Sequence, residues 1–337
     1  MKQKPCIWLA GNILVDIVKT VDCYPEKGML ANISSVSQAV GGCVPNTAID
    51  LAKIDPELPL GVIGKVGKDA YGSYVVKQMQ QHGIDTQKVV VCENAPTSFS
   101  DVMSQSNGER TFFHARGTNA LFSPEDVALD SLEGSMLHVG YIMLLDRFDA
   151  EDAEYGTVMA RFLKQVQDRG IKTSVDAVSD STANYQKKVL PALKYCHYAI
   201  VNEIESCGIF GLSPRNGDGS LNTEAIREAM TRMAQVGVKE KVIVHSKEAG
   251  FCLDVATGAF TTVHSLRIPA ERIAGSVGAG DAFCAGCLYG LYHGYSDADV
   301  LSFASAAAAC NLFAENSVDG MKRKDEIWEM AKTWPRQ

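Results

Sequence analysis

Five short apolar runs punctuate the chain: residues 6–10 (CIWLA), 60–64 (LGVIG), 137–140 (LHVG), 198–201 (YAIV) and 242–244 (VIV). Runs this short, apolar throughout and bounded by polar or glycine positions, fit strands buried on both faces of a helix-covered parallel sheet. Longer stretches with apolar positions at helical spacing lie between them and predict helices over residues 46–54, 71–82, 151–168 and 224–236. The last third reads as almost all helical, including the small-residue run 303–310 (FASAAAAC). The alternation predicts an α/β, doubly wound fold whose mainly parallel sheet binds ligands at the carboxyl ends of its strands.

Two segments break this rhythm. Residues 17–21 (IVKTV) and 33–40 (ISSVSQAV) read as strands joined through a turn at 24–28 (YPEKG), and residues 97–103 and 111–114 flank Asn107-Gly108, a tight-hairpin dipeptide. They predict a small β lid of residues 12–40 and 96–117, set over a core of residues 1–11, 41–95 and 118–337. Such a flap could close over a substrate and exclude water.

The chain has 337 residues, 46% of them hydrophobic and 21% charged, enough for a large core. Its net charge of -8 is spread along the sequence, which disfavours nucleic acid or an anionic membrane as partner and favours a small-molecule enzyme. The short apolar run before Asp16 and Lys19 fits neither a signal peptide nor a membrane span, so a cytoplasmic location is expected. Ten cysteines lie mostly in apolar segments, and Cys284-Ala-Gly-Cys287 reads as helix packing rather than a redox pair.

Residues 275–286, GSVGAGDAFCAG, carry the strongest chemical signal. Small residues at Gly278, Ala279 and Gly280 leave amides uncovered at a helix start, where an anion is stabilised, and Asp281 in the same turn could take a proton from a hydroxyl. A helix cap is the plain alternative for Asp281, as is close helix packing for Gly286 and Gly290. Gly41-Gly42 lets the backbone approach a ligand, with Asn46 either capping the next helix or facing a hydroxyl. Asp16, beyond the first strand, suits a pair of sugar-type hydroxyls or plain solvent. The glycines near Gly64 fail the P-loop spacing, Asp69 reads as a helix cap, and Phe283 stands where a dinucleotide fingerprint needs glycine.

Asp16, Gly41-Gly42 with Asn46 and Ala48, Gly64-Lys-Val-Gly67 with Asp69 and Gly72, Asn202-Glu-Ile-Glu205 and Gly278-Ala-Gly-Asp281 follow one another in an order that resembles the ribokinase-type (PfkB) carbohydrate kinases over nearly the whole chain. The resemblance implies a ribokinase-like fold and ATP-dependent transfer of the γ-phosphoryl group to a hydroxymethyl group of a small sugar. It makes Asp281 the base and the Gly278, Ala279 and Gly280 amides the anion hole. Asp16, Gly41, Gly42 and Asn46 would hold the acceptor. Asn202 and Glu205 would organise Mg2+ through water, beside the ATP phosphates. The common Thr-x-Gly is replaced by His245-Ser246-Lys247 with Gly250 retained, and these four positions are the expected nucleotide contacts. Gly275-Ser276-Val277 replaces the frequent Asp-Thr pair, which weakens the case for a K+ site. The resemblance also implies a homodimer through the β lid. A nucleoside kinase stacking Phe112 or Phe113 on a base, and a catalytically silent sugar- or nucleotide-binding regulator, stay as alternatives. For a phosphosugar acceptor, Lys65, Arg110 and Arg116 are the candidate anion contacts.

Overall fold

The structure, a computed structural model, describes residues 6–105, 110–179 and 184–337, so the Asn107-Gly108 turn lies outside the described residues. Its main sheet has nine strands in the order β15 (Phe260–His264), β14 (Ala249–Asp254), β13 (Lys241–His245), β12 (Tyr198–Asn202), β11 (Lys172–Ala177), β8 (Met136–Ile142), β1 (Ile7–Gly11), β4 (Leu60–Gly67) and β5 (Asp85–Cys92). From β13 to β5 every pairing is parallel, while β14 and β15 run antiparallel at one edge.

Alternation along each strand sorts side chains into two layers. Ile7, Leu9, Val62, Ile200 and Ile243 enter a core under α1 (Cys43–Ile54), α2 (Ala70–Gln81), α8 (Ala279–Tyr292), α9 (Asp297–Asn311) and α10 (Lys324–Thr333). Trp8, Ala10, Ile63, Ala199 and Val201 face the opposite layer of α3 (Val158–Gln167), α4 (Tyr185–Lys188), α5 (Leu190–Leu193), α6 (Glu203–Gly208) and α7 (Thr223–Val236). Each fully buried aliphatic side chain contributes about 1.5–3 kcal/mol, so both faces hold the sheet. Helix α8 is buried on nearly all sides, and its Gly286 abuts α9 so closely that a Cβ would lie 2.6 Å from Ala304 Cα. Cys284 and Cys287 are buried, free thiols of α8, with Cys284 Sγ 3.6 Å from His138 Nε2 on β8.

Three expectations need correction. The helix expected over 151–168 begins only at Val158; Gly156 (φ 85°) and the Thr157 cap end a two-residue ribbon, β9 (Glu151–Asp152) with β10 (Gly156–Thr157). The last third is not almost all helical, because β14 and β15 form an antiparallel hairpin there. Asn46 does not cap α1: that helix begins one turn earlier, behind Gly42, with Pro45 in its first turn.

From β1 the chain runs to β4 and β5 on one side, then crosses back to β8 and on through β11, β12 and β13 on the other. The strand order therefore reverses between β1 and β8, which opens a crevice beyond their carboxyl ends. A second sheet of four strands, β3 (Ile33–Gly41), β2 (Leu14–Val21), β6 (Ser98–Ser104) and β7 (Arg110–Ala115), stands at this crevice.

Asp69 ties the second sheet to the first. Its carboxylate accepts from the Gly72 amide (2.8 Å), capping α2 as expected, and from the Thr97 amide and hydroxyl (both 2.7 Å) at the root of β6. Thr97 Oγ in turn accepts from the Gly67 amide at the end of β4 (2.8 Å). Asp69→Ala is expected to lower unfolding stability by about 1–3 kcal/mol in urea titrations, since a cap and two further hydrogen bonds go together.

Candidate active site

Helix α8 brings Asp281 to the floor of the crevice. Gly278, its N-cap, holds φ 79°, a left-handed conformation that glycine adopts without strain, and a Cβ there would lie 2.6 Å from Ser317 Cβ. No described residue accepts from the amides of Gly278, Gly280 or Asp281, and Ala279 has only a 3.4 Å contact to the Ser276 carbonyl. A Cβ at Gly280 would meet nothing nearer than His245 at 3.6 Å, so the space above these amides is open. Unpaired donors at the positive end of a 14-residue helix can hold an anion.

The Asp281 carboxyl is buried, and each oxygen has one neutral donor. Asn46 Nδ2 donates to Oδ2 (2.8 Å), and the Tyr141 hydroxyl donates to Oδ1 (2.7 Å). Asn46 is itself oriented by Ser317 Oγ, which donates to its Oδ1 (2.8 Å). Burial raises the Asp281 pKa, and the two hydrogen bonds only partly offset it. An oxygen that accepts once keeps a second lone pair, so the group can still take a proton from a substrate hydroxyl.

Asp16, on β2, lies against Gly41, where a Cβ would sit 2.5 Å from the carboxylate oxygen. Gly42 holds φ 86° beside the Asn12 carbonyl. Burial, then the charge of Asp281, pushes Asp16 up to about 7, with Arg110 and Ser100 opposing. Asp16, Gly42, Asn46 and Asp281 share a cavity of about 970 Å3 with Tyr141 and Phe112. Gly41 is packed behind it as backbone clearance for Asp16.

A smaller cavity of about 240 Å3 opens at the ends of β11, β12 and β13, lined by Asp176, Asn202, Glu205, His245, Gly280 and Asp281. Tyr141 and Asp281 line both cavities. Glu205 closes a capping box with Asn202: Oε2 accepts from the Asn202 amide (3.0 Å) and Oε1 from Asn202 Nδ2 (2.7 Å) and Ser179 Oγ (2.9 Å). Burial raises Glu205 to about 7 and, with the charges of Glu205 and Asp281, raises Asp176 well above the usual carboxylate range. Among the described residues no three His, Cys, Asp or Glu side chains are placed to ligate a metal directly. Three carboxylates facing one small cavity still suit an ion that keeps its water shell, as Mg2+ does.

The structure separates the other expected nucleotide contacts. His245 reaches the smaller cavity, its ring tilted 34° against Phe283 at 4.8 Å and its pKa held at about 4 by burial. Ser246 instead closes the β13–β14 turn onto Ala249, Lys247 is exposed at that turn, and Gly250 is packed against Leu301 and Phe283. None of these three lines either cavity. Gly275 lies where a Cβ would come within 2.8 Å of the Ala314 carbonyl, which accounts for glycine at that departure. Lys65 is paired with Asp126 away from the cavities, whereas Arg110 and Arg116 line the larger one. Sequence reasoning missed Tyr141, Ser317, Asp176 and His114; only Tyr141, just past an apolar run at a strand's carboxyl end, carried a usable signal.

The family model for pfkB family carbohydrate kinases matches residues 5–323, and the chain belongs to that family. It is similar to a ribokinase from Arabidopsis thaliana, 25% identical over 330 residues, covering 97% of this chain and 81% of that protein. A 5-dehydro-2-deoxygluconokinase from Listeria monocytogenes is 25% identical over 308 residues, covering 86% of each chain. The crystal structure of a ribokinase from Thermotoga maritima shares the fold with a TM-score of 0.78 at 18% identity, over 98% of this chain and all of that one.

Asp16 holds its proton to about pH 7 when folded but has an ordinary value of 3.8, so the folded chain binds the extra proton and stability falls as pH rises through that window. Asp16→Asn is expected to flatten this fall and to raise the melting temperature at pH 8 by roughly 2–6 °C in thermal melts across pH.

Proposed function

We propose that the protein transfers the γ-phosphoryl group of ATP to a hydroxymethyl group of a small sugar. The observation that carries this reading is the position of Asp281, whose carboxylate faces both cavities from the open amides of α8. The larger cavity takes the acceptor, with Asp16, Gly42 and Asn46 beside its hydroxyls. The smaller takes the phosphates, with Asn202 and Glu205 holding Mg2+ through water and His245 along its wall. Bound Mg2+ supplies charge neutralisation on the phosphate oxygens.

In this reading Asp281 accepts the acceptor's proton, and the Gly278, Ala279 and Gly280 amides face charge on the transferred group. A base need not be strong where bond formation lags behind bond breaking. Hydrogen bonds from Tyr141 and Asn46 favour the ionised carboxylate against its burial and aim it. The four-stranded sheet, residues 12–40 and 96–117, serves as a lid. Its opposite face, where Val36 and Phe113 are exposed, serves a homodimer contact. Phe112 on the cavity wall favours one second reading, a nucleoside acceptor stacked on that ring. An ATP-consumption screen over sugars and nucleosides separates the two.

Asp281→Asn is expected to lower kcat at least about 10³-fold with ATP binding retained, measured by a coupled ADP assay and nucleotide titration. A near-normal rate would sink the base assignment. Tyr141→Phe removes a donor that favours the ionised carboxylate, so it should cost roughly tenfold in kcat/KM and move the acidic limb of the pH profile upward by about one unit.

A further inference from the structure

Strand β8 delivers Tyr141 to Asp281 and is followed at once by a backbone reversal. Met143 holds φ 87°, and among the described residues no other non-glycine residue has a positive φ. The left-handed region is disfavoured for a residue with a Cβ, and such a conformation persists only where its surroundings over-determine it. Met143 is not a loose loop residue, since its side chain is buried in the core layer on the α3 side of the sheet. Nor does it continue the alternation of the strand. Ile142 and Met143 enter that same layer in succession, and Leu144 comes round to line the larger cavity.

Asp149 supplies what holds this reversal. Its Oδ1 accepts from the Met143 amide and its Oδ2 from the Leu145 amide, both at 3.1 Å. Its own amide donates to the Leu145 carbonyl (2.7 Å), and Leu145 and Phe148 are buried, so the turn closes on packed ground. Burying a carboxylate is costly, and the described hydrogen bonds of this one all go to the backbone of a single turn. The same turn is tied to Tyr141, whose carbonyl accepts from the Leu144 amide (3.1 Å). From the second sheet, Arg116 just beyond β7 donates to the Met143 carbonyl through Nη1 and Nη2, both at 3.4 Å, and pairs with Asp146.

We propose that Asp149 is a positioning residue for Asp281: by holding Met143 in the left-handed conformation it sets the Tyr141 hydroxyl on the Asp281 carboxyl and Leu144 on the cavity wall. Asp149 touches neither cavity and acts through the turn alone. Without its two acceptor oxygens Met143 relaxes toward an extended backbone, and the end of β8 shifts with it. The Tyr141 bond to Asp281, 2.7 Å long, tolerates little displacement. The catalytic consequence rests on the sugar-kinase reading for the role of Asp281, whereas the claim about the turn and the carboxyl does not.

The test is a double-mutant cycle of Asp149→Ala and Tyr141→Phe, read in two ways on protein shown by thermal melts to be folded. With the acceptor found by the ATP-consumption screen, Asp149→Ala is expected to lower kcat/KM about tenfold when Tyr141 is present and less than about threefold in Tyr141→Phe. The second readout needs no substrate: the Asp281 carboxyl is titrated by 13C NMR of aspartate-labelled protein, with Asp281→Asn to assign its signal. Losing the Tyr141 hydrogen bond raises the Asp281 pKa, so Asp149→Ala is expected to move it up by about one pH unit, with no further rise in Tyr141→Phe. Loss of the Asp149 charge by itself would move it down, so the direction separates the two causes. If Asp149→Ala does not fold, Asp149→Asn, which keeps one acceptor oxygen, takes its place with smaller changes of the same sign. The same fold loss with and without the Tyr141 hydroxyl, or an Asp281 titration that stays put or falls, overturns the proposal. An upward, Tyr141-dependent shift in a protein that phosphorylates no sugar or nucleoside keeps the positioning role and overturns the kinase reading instead.

Discussion

The arrangement of the crevice depends on one constraint: the Asp281 carboxyl is out of water and has only neutral partners. An isolated buried charge is costly, and it is tolerated where its lone pairs find donors. Here the donors come from Asn46 on α1 and Tyr141 on β8, and Asn46 is fixed by Ser317 near the chain's end. Four segments far apart in sequence must meet within hydrogen-bond distance for this carboxyl to be housed. Burial in α8 of small side chains and glycine, close against α9 at Gly286, is what lets that helix start so deep in the molecule. The reactive geometry and the packing of the first core layer are therefore one problem with one solution.

A second tension runs through the same place. Asp16, Asp176, Glu205 and Asp281 all face the two adjoining cavities, and all have raised pKa values, with burial the first cause in every case. An acidic crevice of this kind is unfavourable when empty, and in the proposed reading hydroxyl donors at one end and a hydrated cation at the other would relieve it. The carboxylates are positioned before a ligand arrives, so little reorganisation is left to binding. Asp69 and Thr97 serve the same end from outside, by fixing where the second sheet starts relative to β4.

Much of this was legible along the chain, and for definable reasons. The central strands announced themselves because both faces are buried, which leaves uninterrupted apolar runs at residues 7–10 and 198–201. Strand β11 did not, because KTSVDA mixes buried polar residues such as Thr173 and Ser174 with apolar ones. Strand β5, DTQKVVVC, lies at the sheet edge and is only half-buried. Asp281, Asn46 and Asp16 could be named because glycines that clear space for them stand nearby in sequence or follow the next strand. Ser317, by contrast, gains its meaning only from its contact with Asn46, 271 residues away in sequence. Gly250 shows the opposite case: a glycine that fits a motif by position is held in place by the rings and aliphatic groups packed on it.

The division of labour between the two sheets follows from where each functional group is rooted. The groups that face the transferred phosphoryl in this reading, the α8 amides with Asp281 and the Asn202–Glu205 box, all belong to the nine-stranded sheet and its helices, where displacement would disturb a core. Asp16, Ser100, Arg110, Phe112 and His114 belong instead to a four-stranded sheet with one face on the cavity and the other partly in solvent. Alternation on β7 puts every second residue on the cavity without involving its neighbours, so a substitution at Arg110 or Phe112 alters the cavity wall and leaves the core layers untouched. In the proposed reading the chemistry is thus confined to positions that core packing fixes, and the choice of acceptor rests on the second sheet's cavity face, where Phe112 stays partly exposed.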